Sequence, residues 1–166
     1  MYTDLALLIL RVVVGLVVAA HGIQKLFGAW GGPGMAGFTG WLGSMRLKPA
    51  PLWAWVGALS EFVGGLLLVL GLLNPLGEIA VIAAMLMAIF SVHWPNFFAA
   101  NNGLEFPLTL MAAALALLFA GPGAYALDTV LGIAFVQPWM PWVGLLLAIG
   151  GVVAAFATRA PATEQS

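Results

Sequence analysis

The segment that decides the fold is LALLILRVVVGLVVAAHGIQKLF, residues 5–27. Its first fourteen residues contain a single ionisable group, Arg11, and its end carries His21, Gln24 and Lys25. A helix needs about 20 predominantly apolar residues to cross the hydrocarbon core of a bilayer. The segment therefore predicts a transmembrane helix with a polar end. That end either anchors the helix at the membrane surface or forms one side of a binding site.

Composition places the whole chain in a membrane. Of its 166 residues, 63% are hydrophobic and only 7% are charged, whereas a soluble domain has about 25% charged residues. Five basic and six acidic residues cannot cover a soluble surface of this size, so the lipid bilayer is the main expected partner. The net charge of −1 excludes a strongly basic nucleic-acid-binding surface. Because the chain has no cysteine, disulfides and thiolate metal sites are excluded as well.

Further apolar runs complete the expected fold, which is an all-α integral membrane protein. We expect a four-transmembrane-helix bundle plus a fifth C-terminal transmembrane helix, with the later helices at residues 52–73, 76–94, 106–120 and 141–158. Glycine and proline at residues 31–34 and 49–51 bracket a segment that we predict to be a loop.

The expected domain organisation separates the core from the last helix. Residues 1–135 are predicted to form the four-helix core and residues 136–158 the additional transmembrane helix. A polar tail follows at residues 159–166. All the candidate site residues fall on the core.

The basic residues predict how the chain is oriented. If all five runs cross the membrane, one side carries Lys25, Arg46, Lys48 and Arg159. Cytoplasmic loops are enriched in lysine and arginine. We therefore expect a multi-pass protein of the cell (plasma) membrane, with the N-terminus outside and the C-terminus in the cytoplasm.

Glu61 is the acidic residue with the deepest expected position. It follows Leu52 by nine residues, which places it roughly 13 Å into the second helix, near the midplane. A carboxylate at that depth is costly and marks a pair or a site. Glycines at positions 57, 64 and 71 share its helix face, which should therefore face protein. Two alternatives follow: Glu61 forms a structural pair with Arg11 or His21, or it is protonated in a functional pocket.

The same depth estimate gathers other polar groups in the inner half of the bilayer: His21, Lys25, His93, Asn96 and Glu105. Simpler roles exist for three of them. Lys25 could be an anchor whose ammonium reaches the membrane surface. His93 could favour the negative end of a helix dipole, and Glu105 could cap a helix start before Pro107. Two distant histidines without a firm third ligand make a weak metal signal, and no haem, flavin or metal motif is present.

Five motifs in order then resemble one family. They are LRVVVGLVVAAHGIQKLFG, ALSEFVGGLLLVLGLLN, VHWPNFF, LEFPLTL and GPGAYALD. Over about residues 5–131 this pattern is similar to the DoxX family of small membrane proteins. The resemblance implies a four-helix membrane bundle and an association with membrane oxidoreductase assemblies, since relatives include a subunit of thiosulfate:quinone oxidoreductase. The family's recurrent polar positions correspond to His21, Gln24, Lys25, Glu61, His93, Pro95, Asn96 and Glu105.

The resemblance and the polar cluster lead to one functional hypothesis. The protein is a membrane subunit associated with an oxidoreductase system that binds a quinone or similar small molecule between its helices. His21 or His93 would hydrogen-bond a quinone carbonyl and Glu61 would accept or relay a proton. Further ligand-binding candidates are Gln24, Lys25, Asn96 and Glu105. Whether the chain itself is an enzyme stays open.

Alternatives remain for the function and for the partners. The bundle could instead be a non-catalytic scaffold or a small-solute transporter. Its partners could be other subunits of a membrane complex or further copies of the same chain. A cavity lined by His21, Glu61 and His93 would favour the ligand-binding hypothesis, whereas a Glu61–Arg11 ion pair without a cavity would favour the alternative.

Overall fold

A computed structural model describes residues 2–135 and 137–161, and every named element in these ranges is helical. Helix α4 continues directly into a π-helical turn, Ile89–His93, and short 3₁₀ turns lie at Ala29–Gly31 and Ala99–Asn101. The α-helices are α1 Tyr2–Phe27, α2 Gly34–Ser44, α3 Ala50–Leu70, α4 Leu76–Ala88, α5 Glu105–Ala120, α6 Leu127–Val130 and α7 Met140–Ala157.

Four of these helices are long and apolar enough to cross a membrane: Tyr2–Phe27, Ala50–Leu70, Leu76–His93 and Met140–Ala157. The expectation of an all-helical, multi-pass membrane protein is confirmed. Helix α5 has 16 residues, or about 24 Å of helix, which is shorter than the roughly 30 Å hydrocarbon core.

Close backbone contact joins α1 to α3, which run antiparallel. A Cβ added at Gly22 would lie 2.4 Å from the backbone nitrogen of Phe62, and one at Gly65 would lie 2.6 Å from the carbonyl oxygen of Gly15. Small residues allow helices in a membrane to approach this closely. These contacts fix the register in which the side chains of the two helices meet.

The predicted glycine stripe of α3 does not dock on a single helix. A Cβ at Gly64 would meet Ala80 of α4, whereas one at Gly57 would meet the ring of Phe38 in α2. The face that carries Glu61 is therefore shared among several neighbouring helices. Glu61 and Gly71 of the same stripe contact Lys25 and Arg11 of α1, so different turns of this face meet different neighbours.

Helices α5 and α7 both extend between the two ends of the bundle. The ring of Phe106, at the start of α5, packs on His21, and Ala124, just beyond its end, donates its backbone N–H to Asp4 Oδ1 at 3.0 Å. Helix α7 packs against α4 and ends where Trp53 Nε1 donates to Thr158 Oγ1 at 2.9 Å. Both helices therefore reach the end of the bundle at which α1 finishes and α3 begins.

Helix α2 occupies the segment that was predicted to be a loop. Phe38 and Leu42 lie four residues apart on its buried face, where they pack with Leu47, Ala58 and Ala155. Four glycines at every third position from 34 to 43 lower the intrinsic helix propensity of this segment. Burial of the Phe38 and Leu42 side chains offsets that cost. This burial depends on neighbouring helices, so helix propensity alone does not predict it.

A buried charged cluster closes the opposite end of the bundle. Arg11, Glu78 and Asp128 are all buried, and Arg11 is attracted electrostatically by both carboxylates. Arg11 Nη2 donates to the carbonyl of Tyr125 at 3.0 Å. Asp128 accepts the backbone N–H of Asn74 at 2.7 Å. These contacts fasten α6 and the segment before it to the α3–α4 connection.

Candidate functional site

A cavity of about 590 Å³ lies between α1, α2, α3, α4, α5 and α7. This volume is within the usual range of roughly 300–1,000 Å³ for small-molecule sites, which combine apolar walls with a few polar groups. Aromatic and aliphatic side chains form most of its walls. The polar side chains that line it are His21, Lys25, Ser60, Glu61, Ser91 and His93.

A charged pair lies at the wall between α1 and α3. Lys25 Nζ is 2.5 Å from Glu61 Oε1, and the same ammonium lies 4.9 Å from the centroid of the Phe38 ring. The Lys25 side chain is 25% exposed and that of Glu61 only 5%. Glu61 Oε2 is buried and has no hydrogen-bond partner in the described chain. The partner of Glu61 is therefore Lys25, and neither Arg11 nor His21, which were the partners that the structural alternative named.

The register of α1 on α3 explains why Glu61 pairs with Lys25 and not with Arg11. Gly22 lies against Phe62, and Gly15 lies against Val69, so Glu61 is level with the last turns of α1. Arg11 lies further along, beside Gly71, in the charged cluster at the other end. Helix α3 begins at Ala50, beyond the level at which α1 stops, and this offset places Glu61 beside Lys25 rather than beside Arg11.

His93 is held in one tautomer by its neighbour. Its Nδ1 lies 2.8 Å from the carbonyl oxygen of Asn102, which can only accept, so Nδ1 must carry the hydrogen. The Nε2 atom of the neutral ring is then an acceptor. His93 also ends the π-helical turn Ile89–His93, a local geometry that is frequent at functional sites.

The other predicted residues fall into two groups. His21 lines the cavity, and its ring packs edge-on against Phe106 with 5.8 Å between the centroids. Gln24, Asn96 and Glu105 do not line it. Glu105 Oε1 accepts the backbone N–H of Ala99 at 2.5 Å, and Asn96 Nδ2 donates to the Asn101 carbonyl at 3.1 Å. These two side chains shape the connection between α4 and α5.

The described residues contain no group of three histidine, aspartate or glutamate side chains arranged to hold a metal ion. His21, Glu61 and His93 all face the same cavity without forming such a group.

Sequence reasoning missed two walls of the cavity. Helix α2 contributes Phe38 and Trp41, and α7 contributes Gly151 and Val152. A signal for α2 was available in the four-residue spacing of its two buried apolar side chains. For α7 the signal was the small or β-branched buried face at positions 144, 148, 152 and 155.

Fold and site together define a multi-pass helical membrane protein with a largely apolar cavity between its helices, which carries an ion pair with a buried carboxylate and two histidines. A comparison with protein-family models matches DoxX over residues 6–94. This match spans more than half of the chain, so the protein belongs to the DoxX family, as its motifs indicated. Neither the comparison with curated proteins nor that with solved structures finds a match.

The family match includes the polar lining of the cavity but not all the predicted site residues. His21, Lys25, Glu61 and His93 lie within residues 6–94. Asn96 and Glu105 lie beyond it, as do the cavity-lining residues of α5 and α7. The cavity is thus built by the matched segment together with helices that follow it.

Proposed function

We propose that this DoxX protein is a membrane subunit associated with an oxidoreductase system, and that its cavity binds a quinone or a similar small aromatic molecule. One observation carries the proposal: an apolar cavity of about 590 Å³ brings His21, Lys25, Glu61 and His93 together. Other subunits of a membrane complex would supply or accept the electrons. In this function the chain holds the ligand and provides proton-accepting groups beside it.

Each lining group has a role set by its chemistry. The apolar walls hold a ring and exclude water. His21 and Lys25 carry the hydrogens that a ligand carbonyl needs. His93, whose Nδ1 is bonded to the Asn102 carbonyl, offers its remaining ring nitrogen, Nε2, to the ligand. Glu61, as a carboxylate, accepts a hydrogen bond or a proton.

A scaffold function is the second candidate, and one observation favours it. Lys25 and Glu61 neutralise each other without any ligand, as a purely structural pair would. A scaffold needs no occupied cavity, so a test of ligand binding separates the two functions.

Filling the cavity is expected to weaken ligand binding. Ala88 lines the cavity, and an Ala88→Phe side chain would project into space that the ring needs. We expect the affinity for 1,4-naphthoquinone to fall by at least about tenfold, because the ligand loses the apolar contacts that bury its ring. The affinity is measured in lipid nanodiscs by quenching of tryptophan fluorescence. Trp41 and Trp53 line the cavity and act as reporters.

The matched control is Ala154→Phe, which adds the same ring at an exposed position of α7. It should leave the affinity unchanged after correction for uptake by empty nanodiscs. Equal affinities for the wild type and both variants would contradict binding in this cavity, and an absence of quenching in the wild type would favour the scaffold.

We also propose five membrane crossings, with the N-terminus outside and the C-terminus in the cytoplasm of the cell (plasma) membrane. The end-to-end course of α5 supports its crossing. The N–H of Ala160 donates to the carbonyl of Arg46 at 3.0 Å, which brings Arg159 to the same end as Lys48. The basic residues of the connections and tail therefore gather at one end, as the positive-inside rule requires.

Cysteine labelling tests this orientation. Because the chain has no cysteine, each variant carries one thiol. A membrane-impermeant reagent applied to intact cells should label Thr129→Cys, which is exposed on α6, and spare Ser44→Cys, which is exposed on α2. Permeabilised cells should label both, and the reverse pattern in intact cells would show the opposite orientation.

A further inference from the structure

The most buried polar group of the cavity is an acceptor. A carboxylate has no hydrogen to donate, and Glu61 is 4% exposed. Its Oε1 accepts from Lys25 Nζ, while Oε2 is buried and unpartnered among the described residues. A buried acceptor left without a partner is unfavourable, so a ligand that approaches Glu61 gains affinity if it brings a hydrogen.

His93 adds a second acceptor to the same cavity. Its Nδ1–H is directed to the Asn102 carbonyl, which leaves Nε2 of the neutral ring as the group available to a ligand. The hydroxyl of Ser91, which is buried and unpartnered in the described chain, can take either role. Ser91 therefore adapts to the ligand, whereas the buried, unpartnered oxygen of Glu61 imposes a requirement.

The hydrogen-bond donors of the cavity do not need a ligand to provide their partner. Lys25 already donates to Glu61, and a quarter of its side chain is exposed. His21 is exposed on α1. Both can therefore satisfy their hydrogens outside the cavity, whereas the carboxylate of Glu61 cannot reach a donor elsewhere. The site therefore lacks a hydrogen-bond donor for Glu61, which a ligand could supply.

We infer that the cavity selects ligands that carry a hydrogen-bond donor, and so binds the hydroxyl-bearing, reduced form of a quinone more tightly than the carbonyl form. This inference rests on the proposed ligand-binding function and specifies the chemical form that the site retains. Sites with buried polar groups discriminate strongly against an analogue that lacks the matching hydrogen.

The test compares 1-naphthol with its methyl ether, 1-methoxynaphthalene, in which a methyl group replaces the hydroxyl hydrogen. Equilibrium dialysis against the protein in nanodiscs, corrected for uptake by empty nanodiscs, should show 1-naphthol binding at least about tenfold more tightly. Glu61→Gln replaces one acceptor oxygen by an amide donor and should reduce this ratio severalfold. Glu78→Gln removes an equally buried carboxylate outside the cavity and should leave the ratio unchanged.

The outcomes separate the inference from the function on which it rests. Equal affinities, or tighter binding of the ether, overturn the inference while ligand binding itself stands. If neither ring nor 1,4-naphthoquinone binds, the proposed function fails and the inference fails with it. Should Glu61→Gln not fold, His93→Leu removes the second acceptor while keeping the Lys25–Glu61 pair, and an unchanged ratio in His93→Leu overturns the role given to His93.

Discussion

Lys25→Met is expected to lower the melting temperature of this DoxX protein by roughly 10 °C, which corresponds to about 3–5 kcal/mol for removing one partner of a buried ion pair. The substitution keeps an unbranched side chain of nearly the same length and removes the ammonium group. Glu61 is then left almost fully buried with neither oxygen paired. The loss arises chiefly from this uncompensated carboxylate.

Glu61→Gln is expected to cost much less than Lys25→Met. The asymmetry follows from exposure, since a quarter of the Lys25 side chain is already accessible and Glu61 is not. Lys25 can keep its ammonium hydrated at the surface when its partner is lost. A double-mutant cycle of the two substitutions should therefore show a favourable coupling free energy, and the double variant should be more stable than Lys25→Met alone.

Lys48→Met is the matched control, because Lys48 is exposed in the α2–α3 connection and the chemical change is identical. Thermal unfolding monitored by tryptophan fluorescence in detergent should show little change for this variant. Equal losses for Lys25→Met and Lys48→Met would reject a buried pair at the wall of the cavity. Coupling without ligand binding would favour the scaffold function.

Gly71→Ala is expected to lower the stability of the protein strongly. Gly71 ends α3 with φ of 61°, a conformation that L-residues adopt at a cost of roughly 1–2 kcal/mol. A Cβ at this position would also lie 1.6 Å from Arg11 Nη1 and 2.6 Å from the Cβ of Ala126. Arg11 is fully buried and cannot move aside without giving up its bond to the Tyr125 carbonyl.

The control for Gly71→Ala separates the cost of backbone strain from the cost of the steric clash with Arg11. Gly132 has φ of 67°, and a Cβ there meets nothing within 4 Å. Gly132→Ala should therefore lose only the roughly 1–2 kcal/mol of backbone strain, whereas Gly71→Ala should exceed about 4 kcal/mol. Similar melting temperatures for the two variants would show that the Arg11 cluster does not resist the added methyl group.

Much of the site could be predicted from sequence because its residues lie at the ends of long apolar runs. The length and hydrophobicity of those runs fix where helices enter the membrane, and therefore which polar groups share a depth. His21, Lys25, Glu61 and His93 were gathered in this way, and all four line one cavity. Asn96 and Glu105 share that depth but bond within their own connection, which depth alone cannot reveal.

The sequence by itself determined that this protein is an all-helical membrane protein of the DoxX family, because hydrophobicity and motif order are properties of each segment alone. Only the tertiary structure decided that Glu61 pairs with Lys25, that Arg11 joins Glu78 and Asp128, and that α2 and α7 complete the cavity. These outcomes depend on the register between packed helices. A sliding of α1 on α3 by one turn, about 5.4 Å, would separate Lys25 from Glu61 and move Arg11 away from its carboxylates, while leaving each segment's own pattern unchanged.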